Sequence, residues 1–358
     1  MSHSRRRLPL SIVTGFLGCG KTTLLRRVLA NPDIDRSCVL VNEMADIGVD
    51  HRLLYQVNGS VLLLKNGCVC CSVRDDLREA LLELVEADED ARGAKRIIVE
   101  TTGMANPAPM IQTIASHPIL NDRIRINGVL TLVDCVNAES SFNNYSEYSN
   151  QIAAADQIFF TKCDLVTDQT VDIVLDIVRG LNPYACINFD DDRRVIEFLQ
   201  NGGGSSDAQY RAPPHRARAP KSVSSLPPSQ SDIEVFCISF EETCEWTAFA
   251  VWLSLLIHAH GNKILRVKGL LSVNSGQAPV AINCVQNLVY FPEHLDEWPD
   301  ADRASILVFI VRALDPANIL RSLRTFLGTD RPVMLPRATT RPHFAPELVS
   351  PQWQYTNQ

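Results

Sequence analysis

The segment Gly15 to Thr22 reads GFLGCGKT, a full match to GxxxxGK[ST], and it constrains the fold more than any other stretch of the chain. Such a loop works between a buried strand and a helix N-terminus, because its successive amides must converge on phosphate oxygens at the positive end of a helix. The flanks comply: Leu10 to Thr14 is a β-branched run, and Lys21 to Leu29 carries apolar residues at helical spacing. A chance glycine turn before a helix would not bring strand, lysine and threonine with it. The expectation is an α/β fold with a mostly parallel sheet. Amides from Gly18 to Thr22 would cradle the phosphates, Lys21 would reach the β and γ phosphates, and Thr22 would give its hydroxyl to Mg²⁺. Gly15, Cys19, Gly20 and Thr23 complete the expected nucleotide-contacting set.

The pattern continues downstream. Strands are expected at Leu10 to Thr14, Cys38 to Asn42, Val61 to Leu64, Arg96 to Glu100, Val129 to Asp134 and Gln157 to Thr161. Helices are expected at Lys21 to Leu29, Arg74 to Val85, Ala108 to Ser116, Ser146 to Ala154 and Asp168 to Leu181. This nucleotide-binding unit takes residues 1–200. Residues 201–232, rich in Gly, Ser, Pro and Arg, read as a flexible linker. Residues 233–328 then combine strand-like runs with apolar helices at Trp246 to His258 and Pro316 to Leu327, a smaller α+β domain. Residues 329–358 read as an extended tail.

A phosphate loop needs an acidic residue on a neighbouring strand to help hold Mg²⁺. Glu100, ending the run RIIVE, supplies it, and Gly103 of the following ExxG can place an amide near the γ phosphate so that hydrolysis is felt there. A solvated glutamate at a strand end is the plain alternative. Asp134, another strand-end carboxylate, has no assigned role. The segment TKCD, Thr161 to Asp164, resembles the guanine-reading NKxD element: Asp164 would accept from guanine N1 and N2, and the stem of Lys162 would pack over the base. Thr161 stands where that element has Asn, so GTP is expected over ATP with one base contact altered. The turn Asn182 to Ala185 is either a further base-contacting loop or a proline turn.

Composition narrows the partners. Apolar residues at 46% and charged residues at 21% suit a soluble globular chain, no apolar run is long enough to span a bilayer, and the net charge of −7 argues against nucleic acid as main partner. Arg5, Arg6 and Arg7 mimic the start of an export signal, but cleavage there would destroy the phosphate loop, so a cytoplasmic location is expected. The 11 cysteines, an odd and irregularly spaced set, are expected to be reduced. Cys38, Cys135, Cys163, Cys186, Cys237 and Cys284 lie in or beside apolar runs and read as packing residues. Cys68, Cys70 and Cys71 form a CxCC, and thiols this close in a reducing compartment point to a soft or borderline metal ion, Zn²⁺ or Cu⁺. Redox sensing or packing is the rival for that cluster. Glu43, Asp46 and His117 are candidate additional ligands, His117 having a plain alternative as a capping residue.

Taken together, GFLGCGKTTLL, VNEMADIGVD from Val41, NGCVCC, ETTGMANPAP from Glu100 and TKCD resemble the CobW-type GTPases, relatives of the GTPases that load nickel into urease and hydrogenase. ILRVKGLL from Ile264 and RASILVFI from Arg303 resemble that family's C-terminal domain. The resemblance implies GTP and Mg²⁺ at Gly15, Gly20, Lys21 and Thr22, Glu100 in place of the usual Asp, a transition metal at Cys68, Cys70 and Cys71, and a metallochaperone role. Zinc is the expected metal, with Co²⁺ or another transition ion the variant. The linker holds only His215 where relatives often have a His-rich tract, and NEMADIG replaces the commoner NEFGEIG, leaving Asp46 in the place of a glutamate.

The expected partner is a client metalloprotein, with neither nucleic acid nor membrane, and the expected assembly is a monomer or a nucleotide- or metal-dependent dimer. GTP would gather the thiolates and hydrolysis would release the ion. Turnover is expected to be slow without metal or partner, since no catalytic Gln or Arg stands at a recognisable spacing. The rivals are a nucleotide-regulated zinc sensor or storage protein, and a small-molecule kinase using ATP.

Overall fold

A computed structural model describes residues 7–41, 59–63, 72–86, 94–189, 191–201, 232–273, 278–290, 292–298 and 303–335. Within them, the first half builds a parallel sheet from β1 Leu8–Gly15, β2 Ser37–Val41, β3 Gly59–Leu63, β4 Arg96–Glu100, β5 Ile124–Asp134, β6 Gln157–Thr161 and β7 Cys186–Phe189. The seven strands run in the order β3-β2-β4-β1-β5-β6-β7, every pair parallel. The inner strands bury both faces, and so read as unbroken apolar runs such as RIIVE and LTLVD. The connecting helices are α1 Lys21–Leu29, α2 Ser72–Glu86, α3 Ala108–Ser116, α4 Pro118–Arg123, α5 Ala138–Asn144, α6 Ser146–Ala154, α7 Asp168–Leu181 and α8 Asp192–Asn201. α1 buries Leu24, Leu25, Val28 and Leu29, the stripe its spacing dictates.

β5 starts earlier than expected, at Ile124. Its register against β1 slips after Ile126, so that Ser11 pairs with Gly128, and the extra residue Asn127 is absorbed as a bulge. Gly128, at φ +142, has no room for a side chain: a Cβ there would lie 2.8 Å from the Asp156 carboxylate.

The second half forms an antiparallel sheet from β8 Ile233–Phe240, β9 Ile264–Leu271, β10 Val280–Val285, β11 Leu288–Val289, β12 Glu293–His294, β13 Ser305–Arg312 and β14 Val333–Leu335. One face carries α9 Trp246–His260 and α10 Pro316–Leu327, packed through Phe249, Trp252, Ile319 and Leu323. The Glu245 carboxylate caps α9 by accepting from the Thr247 and Ala248 amides, and Asp315 caps α10. Val285, Leu288 and Tyr290 of this sheet join the core under α2 and α3, while Ile233, Leu265 and Ile310 join the one under α6 and α7. The two sheets are therefore cemented through the helices between them. Buried Asp156, just before β6, pairs with Arg266 and, at 2.8 Å, with Lys268, both on β9. Arg266 also donates to the Ala154 carbonyl at 2.6 Å.

Candidate functional site

Parallel strands end on one edge, so Gly15, Glu100, Asp134 and Thr161 come together where β1, β4, β5 and β6 stop. Open α/β sheets bind ligands at this edge. The loop after β1 turns through Gly18 and Gly20, whose φ of +72 and +91 a side chain would resist. Gly15 has no room for one either: a Cβ would meet the Leu132 carbonyl at 2.6 Å and Cys19 Sγ at 2.7 Å. Lys21 folds back across the loop, its buried Nζ donating to the Gly15 carbonyl at 2.9 Å and to that of Phe16 at 3.2 Å. Thr22 follows in the first turn of α1; Thr23 is exposed beside it.

The Thr22 hydroxyl donates to Glu100 Oε1 at 2.7 Å, linking the start of α1 to the end of β4. A hydroxyl and a carboxylate meeting beside a phosphate loop are hard oxygen donors, and they fit Mg²⁺ better than any soft ion. Past Glu100, the Thr101 hydroxyl donates to Thr14 Oγ1 at 2.8 Å and its amide to the Val13 carbonyl at 3.0 Å. Gly103 packs on the phosphate loop so tightly that a Cβ would lie 2.6 Å from the Leu17 backbone nitrogen. Gln151, wholly buried on α6, holds this ExxG loop by donating to the Gly103 and Ala105 carbonyls at 3.1 and 2.9 Å. Asn106 extends the chain of contacts, donating to Gln286 Oε1 of the second sheet at 3.2 Å.

In the TKCD segment the Thr161 hydroxyl donates to the Cys19 carbonyl at 2.9 Å. The departure from Asn thus ties this segment to the phosphate loop. Lys162 adopts a left-handed φ of 59, and its Nζ pairs with Asp134 Oδ2 at 2.7 Å. Asp134 also accepts from the Val136 amide and the Asn137 side chain. Burial alone would raise the Asp134 carboxyl, but the bonds from Lys162, Asn137 and Val136 override it and hold it below the ordinary range. Asp164 is exposed in the short turn Cys163–Leu165.

Sequence reasoning left Asp134 without a role and missed Gln151 and Asn106. Asp134 had its strand-end position as a signal; a buried amide inside a helix offers none. Asn182 resolves as a structural turn, its side chain donating to the Ile152, Ala153 and Ala155 carbonyls and accepting from Tyr184 and Ala185 amides. His117 sits between α3 and α4, just before β5 begins beside Leu8, at the opposite sheet edge from the phosphate loop. Glu43, Asp46, Cys68, Cys70 and Cys71 lie outside the described residues, as does most of the linker and of the tail. Among the described residues no three His, Cys, Asp or Glu converge on a metal position, and no helix is long and apolar enough to cross a membrane.

A parallel sheet, a glycine loop opening a helix, a lysine over that loop and a Thr–Glu oxygen pair define a P-loop nucleotide-binding protein. The comparisons with known proteins agree and go further. The model of the CobW/HypB/UreG nucleotide-binding domain matches residues 9–188, that of the cobalamin synthesis protein CobW C-terminal domain matches residues 233–327, and the chain belongs to this family. It is 29% identical to the zinc chaperone YjiA of Escherichia coli over 85% of this chain and 93% of that protein. It is 28% identical to the zinc chaperone CobW of Pseudomonas aeruginosa over 90% and 92%. A local match at 35% identity, covering 53% of this chain and 49% of the other, is to the zinc-regulated GTPase metalloprotein activator 1 of Schizosaccharomyces pombe. The fold resembles the crystal structure of Zn(II)-bound YjiA GTPase from E. coli, with a TM-score of 0.64 at 23% identity over 90% of this chain and 99% of that one.

Proposed function

We propose that the chain is a GTPase that carries zinc and hands it to a client metalloprotein, with the nucleotide state deciding when. The observation that carries the nucleotide half is the 2.7 Å contact between Thr22 and Glu100, which assembles hard oxygen donors at the lip of the phosphate loop. Its relatives' names, zinc chaperone and zinc-regulated GTPase, support the metal half.

Lys21 and the amides of residues 18–22 bind the triphosphate, and Lys21 leaves the Gly15 and Phe16 carbonyls to do so. Thr22 and Glu100 would hold Mg²⁺, which would supply positive charge against that developing on the triphosphate. Thr161 fixes the base-reading turn to the phosphate loop, Asp134 fixes Lys162, and Asp164 accepts from guanine. Gly103 reports on the γ phosphate through its contact with Leu17. Gln151 spends its amide on the ExxG loop, so no side chain in this set orients the attacking water, and unaided hydrolysis is slow, below about 1 per second.

Zinc is the cargo, and Cys68, Cys70 and Cys71 are its ligands. Metal analysis of protein purified without added ions tests this directly. About one zinc per chain is expected, falling to background when Cys70 and Cys71 are replaced by Ser. Unchanged zinc content in that variant would remove the assignment.

A further inference from the structure

Cys135 and Cys163 read as packing residues in the sequence, yet their sulfurs meet. Cys135 Sγ lies 3.4 Å from Cys163 Sγ, within hydrogen-bonding reach. The approach is built into the sheet. β5 and β6 are neighbours with Asp134 opposite Thr161, and the Cys135 amide donates to the Thr161 carbonyl at 3.0 Å, so Cys135 directly follows one member of this pair and Cys163 stands two residues past the other. The two thiols differ in access: Cys135 is 1% exposed, while Cys163 is partly open to solvent. What lies beside them is the base-reading segment. Cys163 sits between Lys162 and Asp164, and Cys135 directly follows Asp134, the anchor of Lys162.

We propose that Cys135 and Cys163 form a reversible dithiol–disulfide pair, oxidised by hydroperoxides, that switches guanine-nucleotide binding off. This regulation rests on the reading of residues 161–164 as the base-binding segment. In the first step the accessible Cys163, as thiolate, attacks the hydroperoxide oxygen; the O–O bond breaks, Cys163 becomes a sulfenic acid, and the leaving alkoxide or hydroxide takes a proton. In the second, the Cys135 sulfur attacks that sulfenic sulfur, the S–O bond breaks, and hydroxide leaves with the Cys135 proton as water. Two thiols and one hydroperoxide give one disulfide, one water and one alcohol, or two waters from hydrogen peroxide. A small dithiol reverses the change by exchange.

The bond with Cys163, and then burial, hold the Cys135 thiol well above its ordinary range, so the first attack on the oxidant falls to the more accessible Cys163. Closing the bond brings sulfurs now 3.4 Å apart to about 2.0 Å. That movement pulls on the turn Cys163–Leu165, which begins at the left-handed Lys162, whose ammonium pairs with Asp134. Displacing Lys162 and Asp164 weakens the hold on the base.

The test uses the full-length chain with Cys68, Cys70 and Cys71 replaced by Ser, so that the metal motif cannot consume the oxidant. Affinity for a fluorescent GTP analogue is measured before and after hydrogen peroxide, and non-reducing peptide mapping locates any bond. The expected result is a peptide joining residues 135 and 163, a fall in affinity of roughly tenfold or more, and recovery with a dithiol. The further change Cys135→Ser should abolish both the link and the loss, and Cys163→Ser should do the same, each read as the ratio of affinities before and after peroxide. Absence of the link overturns the proposal, as does a link that leaves affinity unchanged or a loss that persists in both serine variants. Mapping reads the bond whether or not nucleotide binds. Failure of the reduced protein to bind the GTP analogue would instead overturn the functional reading, and the switch's output with it.

Discussion

At the scale of single residues, the account rests on oxygens and charges that meet at strand ends. Glu100→Gln keeps the volume and removes the charge, so Mg²⁺-dependent GTP hydrolysis should fall about 100-fold while the fold stands; phosphate release assays check it. Asp134 makes a different prediction. Its folded carboxyl lies below the ordinary range, so its hold on Lys162 is complete at and above that range and is lost as pH falls through the depressed value. The ratio of wild-type to Asp134→Asn affinity for GTP, which isolates this contact from protonation of the nucleotide itself, should therefore stay level at roughly tenfold from neutral pH down to the usual carboxylate range. Titration of the analogue against both proteins at several pH values checks it. Lys21, Thr22 and Glu100 were legible in the sequence because one loop pattern and one strand-end carboxylate determine them. The Thr161 bond to the Cys19 carbonyl was not: a hydroxyl in place of an amide announces a change of partner but not which partner.

The elements that connect these residues are short. Gly103 touches Leu17 backbone atoms, so Gly103→Ala must push the ExxG loop off the phosphate loop. GTP affinity should drop at least about tenfold with little loss of thermal stability, because no core side chain changes; calorimetric titration and a melting curve together decide it. Helices with long apolar stripes, α1, α3, α6 and α7, were legible from their spacing alone. α5 was not, because after Ala138 and Glu139 its run SSFNN is a poor helix former, and burial of Ala138, Ser141 and Phe142 helps to hold it. β7 is four residues long with a buried Asn188, too brief for a period to show. In β5 the bulge at Asn127 hid continuity that the pairing with β1 enforces.

For the whole molecule, the question is whether the nucleotide edge and the second sheet act as one body. Asp156, Arg266 and Lys268 hold them together in a buried cluster no sequence pattern could pair, since its members lie far apart along the chain. Replacing Asp156 by Ala leaves the buried Arg266 and the partly buried Lys268 without their carboxylate and should cost about 3–5 kcal/mol, with unfolding split into two transitions. Burial would raise the Asp156 carboxyl, but Arg266 and Lys268 bring it from 3.8 to about 2. Its contribution is thus full above the ordinary value and is lost as pH falls from 3.8 towards about 2, where scanning calorimetry should show the transition dropping.

The zinc-carrier function requires GTP and zinc to be coupled ligands, the nucleotide edge being linked through Gly103, Gln151 and Asn106 to the rest of the chain. Zinc affinity measured by competition with a chelator, once with GDP and once with a non-hydrolysable GTP analogue and Mg²⁺, tests it most directly. The account predicts tighter zinc binding with the triphosphate, and an equal factor of gain in analogue affinity when zinc is bound, as linkage requires. Equal zinc affinity in the two nucleotide states would contradict it.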